Sequence, residues 1–191
     1  MKVLAVNGSA RKDGNTALLL RTVFAQLEAA GVETELIQLG GAPLRGCLAC
    51  MKCWETQDRH CVIANDPLNG IIEKMTEADG IILGSPTYFA DVTAEMKALI
   101  DRSGMVARAN GSLFQRKVGA GVVAVRRGGA MHALQTLQNY FLISEMIIPG
   151  SSYWNIAFGR GIGEVEEDVE GIETMRKLGE NMAWLLGKIA S

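Results

Sequence analysis

The stretch VLAVNGSARKDGNT, residues 3–16, carries an apolar run directly into a polar, glycine-containing turn. Val3–Val6 is continuously apolar rather than alternating, which is typical of a strand buried on both faces of a parallel sheet. A helical pattern follows, because apolar residues recur at spacings of three and four from Leu20 to Ala30, and Gly31 ends it. This order indicates a β–α unit whose polar turn lies at the carboxyl end of a buried strand.

Strands and helices alternate in the same way along the rest of the chain. We predict further strands at Val32–Leu39, near a sheet edge, and at Ile81–Gly84, Val118–Val125 and from Glu145 to Ile148. We predict further helices from Asp66–Pro67 to Asp79, then at Thr93–Ser103, Met131–Ile143 and Met175–Ile189. Alternating elements imply right-handed βαβ crossovers. The predicted fold class is therefore α/β, a three-layer doubly wound fold with a five-stranded parallel sheet, in a single domain over residues 1–191.

Composition excludes several classes of protein. The 191 residues are 48% hydrophobic and 21% charged, which excludes a disordered chain. Nineteen Lys and Arg against twenty-one Asp and Glu give a net charge of −2, so we expect no nucleic-acid partner. The apolar runs are far shorter than the ~20 residues that cross a bilayer, so we expect no membrane partner. The first of them stops at Asn7, too early for a signal peptide, and the expected location is cytoplasmic.

The first loop, Gly8–Thr16, has the chemistry of an anion site. Backbone N–H groups at a helix N-terminus attract anions, Ser9, Asn15 and Thr16 add neutral donors, and Arg11 adds positive charge. The loop matches neither the P-loop nor the G-x-G-x-x-G pattern, which disfavours nucleotide hydrolysis and a Rossmann dinucleotide site. An ordinary polar turn is the alternative reading of these residues.

Two other loops leave predicted strands at the same sheet edge. In Gly84–Ala90, Tyr88 and Phe89 can stack on a planar ring, or else they plug the rim of the domain. In Arg126–Gly129, paired glycines permit close approach of the backbone to a ligand, although a solvated basic turn has the same composition. Three such loops at one edge favour a single ligand bound between them.

The first two loops carry a specific resemblance. Gly8-Ser9-Ala10-Arg11-x-x-Gly14-Asn15-Thr16 together with Gly84-Ser85-Pro86-Thr87-Tyr88 resembles the flavodoxin-like NAD(P)H-dependent FMN reductase superfamily, over nearly the whole chain. The resemblance implies a flavodoxin-like fold and bound FMN, with no catalytic side chain beyond those that hold the flavin. By resemblance, the phosphate is held by Ser9, Arg11, Asn15 and Thr16, the flavin edge and face by Pro86, Thr87, Tyr88 and Phe89, and the pyrimidine side is approached by Arg127, Gly128 and Gly129.

Four cysteines lie within fifteen residues, in the pattern Cys47-x2-Cys50-x2-Cys53-x7-Cys61. They fall in the long irregular segment Gly40–Asn65, and a segment of that length inside a domain is usually functional. Their spacing favours an iron–sulfur cluster over zinc, which generally uses two separated C-x2-C pairs. Free or redox-active thiols remain a further alternative.

The cysteine pattern resembles the compact motif of the iron–sulfur flavoproteins, a branch of the same superfamily. This resemblance implies that Cys47, Cys50, Cys53 and Cys61 bind a [4Fe–4S] cluster that passes electrons to FMN, in a homo-oligomer (a dimer or a tetramer). We expect the Gly40–Asn65 segment to lie near a subunit contact, because four apolar side chains in it would otherwise be exposed. These are Leu48, Met51, Trp54 and Val62.

The function expected from these features is an FMN-dependent oxidoreductase that moves electrons between a [4Fe–4S] cluster, FMN and an acceptor that the sequence does not identify. NAD(P)H is a candidate electron donor, and the redox partner is either a small molecule or a protein. A cluster-free NAD(P)H-dependent reductase of FMN, quinones or nitro compounds is the first alternative. A non-enzymatic flavin electron carrier or thiol redox sensor is the second.

Overall fold

A parallel sheet of five strands runs through the computed structural model, which describes residues 1–189, in the order β2-β1-β3-β4-β5. The strands are β1 Lys2–Asn7, β2 Glu33–Gln38, β3 Gly80–Pro86, β4 Val118–Val125 and β5 Ile156–Phe158. The helices are α1 Asn15–Ala29, α2 Lys52–Thr56, α3 Leu68–Glu77, α4 Ala94–Ala109, α5 Ala130–Ile143 and α6 Val169–Ile189, with a 3-10 turn at Glu164–Glu167.

Two apolar clusters cover the two faces of this sheet. Along β1, Leu4 and Val6 pack with α3, α4 and α5, whereas Val3 and Ala5 pack with α1 and α6. A strand with both faces in a core needs a continuous apolar run, which is what β1 has. The predicted three-layer doubly wound α/β fold with a five-stranded parallel sheet is confirmed, and the half-buried β2 lies at the predicted sheet edge.

The prediction of a strand from Glu145 to Ile148 is wrong. Ile147 forms one isolated bridge with Val118, and Pro149, which has no backbone N–H, follows within two residues. The chain then loops outward and returns as β5, which pairs with the far end of β4. The loop after β5 therefore reaches the carboxyl edge of the sheet.

Two helices are several residues longer than predicted, and a short helix lies in a segment predicted to be irregular. The last helix begins at Val169 rather than Met175, because Asp168 caps it by accepting a hydrogen bond from the backbone N–H of Gly171 at 3.0 Å. The helix after Thr93 continues to Ala109, and the irregular segment Gly40–Asn65 contains the short helix α2. The extent of the single domain stays a prediction, and its residues 190–191 lie outside the described residues.

The sheet order creates a crevice at its carboxyl edge. The chain crosses to opposite sides after β1 and after β3, which are neighbours in the sheet, and ligands of doubly wound folds bind at such a switch point. Within residues 1–189, no helix has the length and apolar character needed to span a membrane.

Candidate functional site

A pocket of about 230 Å³ opens at the carboxyl edge of β1, β3 and β4. Seven of the predicted cofactor residues line it, namely Ser9, Arg11, Asn15, Thr16, Pro86, Thr87 and Tyr88. Four residues outside the predicted set complete the lining, namely Ala124, Arg126, Gly159 and Arg160. The first and second loops therefore meet at one pocket, which we call the edge pocket.

Hydrogen bonds from the neighbouring strand β2 fix the first loop. Asn7 donates to the Gln38 side chain at 2.7 Å, and Gln38 in turn donates to the backbone carbonyls of Ser9 at 2.7 Å and Gly40 at 2.9 Å. The side-chain oxygen of Asn7 accepts a hydrogen bond from the backbone N–H of Ser9 at 3.1 Å. The loop is thus held in shape by protein groups alone, before any ligand binds.

Thr93, the N-cap of α4, ties the first loop to the second. Its hydroxyl donates to the backbone carbonyl of Gly8 at 2.9 Å, and its backbone N–H donates to the Ser85 hydroxyl at 3.1 Å. The backbone N–H of Gly8 also donates to the carbonyl of Gly84 at 2.8 Å. The walls of the edge pocket are therefore fixed relative to each other.

Two buried hydroxyls of the edge pocket have no hydrogen-bond partner. The Oγ1 atoms of Thr16 and Thr87 are both buried and unpaired. A buried polar group left unpaired costs about 1–3 kcal/mol, so native proteins rarely keep one without a role. A ligand rich in hydrogen-bonding oxygen and nitrogen atoms would satisfy both, and FMN fits this requirement.

Positive charge dominates the lining of the edge pocket. Arg11, Arg126 and Arg160 contribute guanidinium groups, and no carboxylate is among the lining residues. The backbone N–H groups at the start of α1 face the same loop. Both these groups and the arginine side chains therefore favour the binding of an anion. The pocket has the electrostatics of a phosphate site.

Asn15 has other partners than a phosphate. Its side-chain amide donates to the carbonyl of Gly161 at 2.9 Å, and its side-chain oxygen accepts from the N–H of Gly163 at 2.9 Å. Both polar atoms thus hold the loop after β5, which carries Arg160. The structure makes Asn15 an anchor for that loop.

The remaining predicted cofactor residues lie outside the edge pocket. Phe89 is fully exposed with a left-handed φ of 44°, and Arg127 and Gly128 are exposed on the third loop. Gly129 has a φ of 84°, and a Cβ built on it would lie 3.1 Å from Cα of Ala90. Glycine at this position therefore lets the third loop pack against the second.

The four cysteines surround a second, small pocket, which we call the cysteine pocket. Cys47, Cys50, Cys53 and Cys61 all line it, together with Arg102 of α4 and apolar side chains. All four thiols are free. Burial raises the pKa of the Cys53 thiol, and the neighbouring Cys61 and Cys47 raise it further.

The backbone between the first three cysteines turns sharply. Ala49 and Met51, on either side of Cys50, have left-handed φ angles of 50° and 58°. Such angles are costly for residues other than glycine and concentrate at functional segments. They bring thiols that are three residues apart to the same pocket.

The four cysteines supply thiol groups to one pocket. In residues 1–189, no three His, Cys, Asp or Glu side chains converge closely enough to hold one metal ion. A [4Fe–4S] cluster bonds each of four thiolates to a different iron, so the chemistry of these four donors fits that group.

A buried arginine braces the segment that carries the cysteines. Arg102 donates through Nη1 to the carbonyl of Arg45 at 3.1 Å and through Nη2 to the carbonyl of Ile63 at 3.1 Å. Both its Nη atoms also bind the carboxylate of Asp66, at 2.5 and 3.2 Å. Burial opposes the charge of this group most strongly, yet the neighbouring Asp66 and Cys61 raise the pKa of Arg102.

The chain is similar to known proteins over most of its length. The family model of the NADPH-dependent FMN reductases matches residues 1–161. An iron–sulfur flavoprotein of Methanocaldococcus jannaschii is 40% identical over 190 residues, which cover 96% of each chain. Another, from Methanosarcina thermophila, is 32% identical and covers 97% of this chain and 95% of its own.

Solved structures agree in fold at low sequence identity. The crystal structure of RosB with bound 8-demethyl-8-formylriboflavin-5'-phosphate has a TM-score of 0.75 at 17% identity, covering 100% of this chain and 80% of that one. A flavodoxin from the domain Archaea has a TM-score of 0.63 at 14% identity, covering 98% and 99%. The fold is thus flavodoxin-like, as predicted. By its family match and its relatives, the chain belongs to the NADPH-dependent FMN reductase family, in the branch of the iron–sulfur flavoproteins.

Proposed function

We propose that this protein is an FMN-dependent oxidoreductase that carries a [4Fe–4S] cluster and moves electrons between the cluster, FMN and an external redox partner. The observation that carries the proposal is the convergence of all four cysteines on one pocket, in a chain whose edge pocket has unpaired donors and positive charge. The relatives named iron–sulfur flavoproteins, which match this chain over nearly its whole length, support the proposal.

The edge pocket would hold FMN through contacts of distinct kinds. Arg11 and Arg160 would supply positive charge for the phosphate. The buried hydroxyl of Thr16 has no hydrogen-bond partner in the protein and would be free to bind the ligand. Thr87 and Tyr88 border the remaining space, where a flat ring system can lie against the half-exposed Tyr88. Arg126 adds positive charge, which would stabilise an anionic flavin ring.

The cysteine pocket would hold the cluster through Cys47, Cys50, Cys53 and Cys61, each bonding one iron. When bound, the cluster supplies single-electron chemistry and FMN supplies both single-electron and two-electron chemistry. The chain's own contribution would be to orient the thiols and to fix the segment through Arg102.

The redox partners follow from the same chemistry. We propose NAD(P)H as an electron donor, in keeping with the family, and a small molecule or redox protein as the acceptor. Four free thiols within one segment suit a reducing compartment, so we place the protein in the cytoplasm. We further propose a homo-oligomer, because exposed apolar side chains surround the cysteine pocket.

Protein purified without oxygen tests this proposal. Heat release followed by chromatography should identify FMN, and the absorption spectrum should show a flavin together with broad iron–sulfur absorption that dithionite bleaches. NADH or NADPH should bleach the flavin bands. FAD, or no flavin at all, would contradict the FMN assignment. Flavin without iron–sulfur absorption, reduced steadily by NAD(P)H, would favour the cluster-free reductase instead.

A further inference from the structure

Three buried side-chain polar atoms in residues 1–189 have no hydrogen-bond partner, and all three belong to residues that line the two candidate sites. Two are the hydroxyls of Thr16 and Thr87 in the edge pocket. The third is Nε of Arg102, a residue that is only 1% exposed and lines the cysteine pocket. An unpaired N–H on a fully buried guanidinium is costly, so we expect this atom to gain a hydrogen-bond partner when the pocket is occupied.

The rest of the guanidinium is fixed. Its two Nη atoms are fully engaged with Asp66 and with the carbonyls of Arg45 and Ile63. These carbonyls lie two residues before Cys47 and two residues after Cys61. Arg102 therefore forms hydrogen bonds with the backbone at both ends of the segment that carries the four cysteines. Because the group is planar and held on one edge, the direction of its Nε–H is fixed as well. Cys61 lines the same pocket as this guanidinium, and its proximity contributes to raising the pKa of Arg102.

Resting on the proposed function, we propose that Arg102 is a positioning residue that donates a charge-assisted hydrogen bond to the sulfur of Cys61 and thereby raises the reduction potential of the bound cluster. Hydrogen bonds to the cluster sulfurs and the net charge nearby set the potentials of such centres. A hydrogen bond donated to a cluster ligand and a nearby positive charge both stabilise the reduced cluster relative to the oxidised cluster, which raises its reduction potential. Arginine, unlike lysine, can bind Asp66 in a bidentate manner and still present Nε–H elsewhere.

The carboxylate of Asp66 is expected to lower the reduction potential of the bound cluster, whereas Arg102 is expected to raise it. Its carboxylate pairs with Arg102 at 2.5 Å and the side chains of both residues are almost completely buried. The carboxylate offsets part of the positive charge that reaches Cys61. Removing that carboxylate should therefore move the potential in the direction opposite to a change at Arg102, although both changes damage the same ion pair.

The test uses full-length protein reconstituted with iron and sulfide without oxygen. Dithionite supplies the electron, and the reduced cluster is followed by electron paramagnetic resonance against a potential scale. Arg102→Lys, which loses the Nε–H, should shift the potential of the loaded protein downward, and Asp66→Asn should shift it upward. Arg108→Lys, an exposed arginine on the same helix, should leave it unchanged.

Shifts in the same direction for both variants, or no shift in either, would overturn the inference and leave Arg102 as a structural brace. If the variants do not fold, pulsed resonance on unsubstituted protein with ¹⁵N-labelled arginine decides the matter. A nitrogen coupling to the reduced cluster is expected, and its absence would overturn the inference. Failure of the unsubstituted protein to take up iron would instead contradict the proposed function itself.

Discussion

At the scale of single residues, the unpaired hydroxyl of Thr16 distinguishes a ligand site from an ordinary turn. Thr16→Val removes a donor that has no protein partner while keeping the shape of the side chain. We expect flavin-free protein to keep or gain stability, because a buried unpaired group is removed. We expect FMN binding to weaken by about 0.5–1.5 kcal/mol, the net value of one hydrogen bond.

Titration calorimetry and urea unfolding of the flavin-free protein measure the two effects. Thr22→Val on the same helix is the control, since its hydroxyl already donates to the carbonyl of Leu18 at 3.0 Å. This control should leave FMN affinity unchanged. A Thr16→Val protein that is clearly less stable and binds FMN normally would show that the hydroxyl serves the fold alone.

Arg11 is the charged residue of the first loop that lines the edge pocket. Arg11→Ala should weaken FMN binding by ~1–3 kcal/mol, the usual value for a hydrogen bond to a charged group. Lys12→Ala removes the same charge one residue further on, at a position outside the pocket lining, and should have little effect. Equal losses for the two variants would mean that only net charge matters and that Arg11 does not contact the phosphate.

Whether a pocket-lining residue can be predicted from sequence depends on how local its position is. Ser9 and Thr87 lie within two residues of the ends of buried strands, and a strand end fixes where the next residues lie. Arg160 could not be predicted, because its place in the pocket depends on where β5 pairs. The anchoring role of Asn15 was hidden for the same reason, since its partners are 146 and 148 residues away.

At the scale of elements, Gly40 joins the end of β2 to the first loop. A Cβ built on Gly40 would lie 2.2 Å from both the carbonyl carbon and oxygen of Ser9, so the two backbones cannot keep their contact with any other residue there. Gly40→Ala should destabilise the fold by ~1–3 kcal/mol, as overpacking does, and should displace the first loop. FMN affinity should fall with it.

Gly46→Ala is the matched control for that variant, because a Cβ there meets nothing within 4 Å. Urea unfolding and FMN titration of both variants check the expectation. Gly40→Ala protein with unchanged stability and affinity would show that the first loop does not depend on β2.

The strands show what apolar patterning can and cannot predict. β1, β3 and β4 are buried on both faces and read as continuous apolar runs, so they were predicted from sequence. The apolar run at Met146–Ile148 has the same appearance, but it lies beside the start of β4 and forms only an isolated bridge there, whereas the fifth strand pairs with the end of β4. Its backbone pairs with β4 only at Ile147, through bonds to Lys117 and Gly119. Pairing depends on the path of the chain, which local pattern does not contain.

At the scale of the whole molecule, an exposed apolar surface surrounds the cysteine pocket. Leu48, Met51, Trp54 and Val62 are 50%, 48%, 43% and 58% exposed. We expect sedimentation at micromolar concentration to show a dimer or a tetramer, because association would bury this surface. Val62→Lys should weaken association, whereas Val169→Lys, at an exposed position on α6, should not. A monomeric unsubstituted protein would contradict the expectation.

The central claim is that one chain holds both a flavin and an iron–sulfur cluster, and counting both cofactors in the same sample tests it most directly. Protein should be reconstituted without oxygen, freed of unbound iron, and analysed for iron, sulfide and flavin per chain, with Cys53→Ser as the control. The account predicts about four irons and one FMN per chain, the stoichiometry of one [4Fe–4S] centre beside one flavin, and a marked loss of iron in the control. A full complement of FMN with no bound iron in the unsubstituted protein would contradict it.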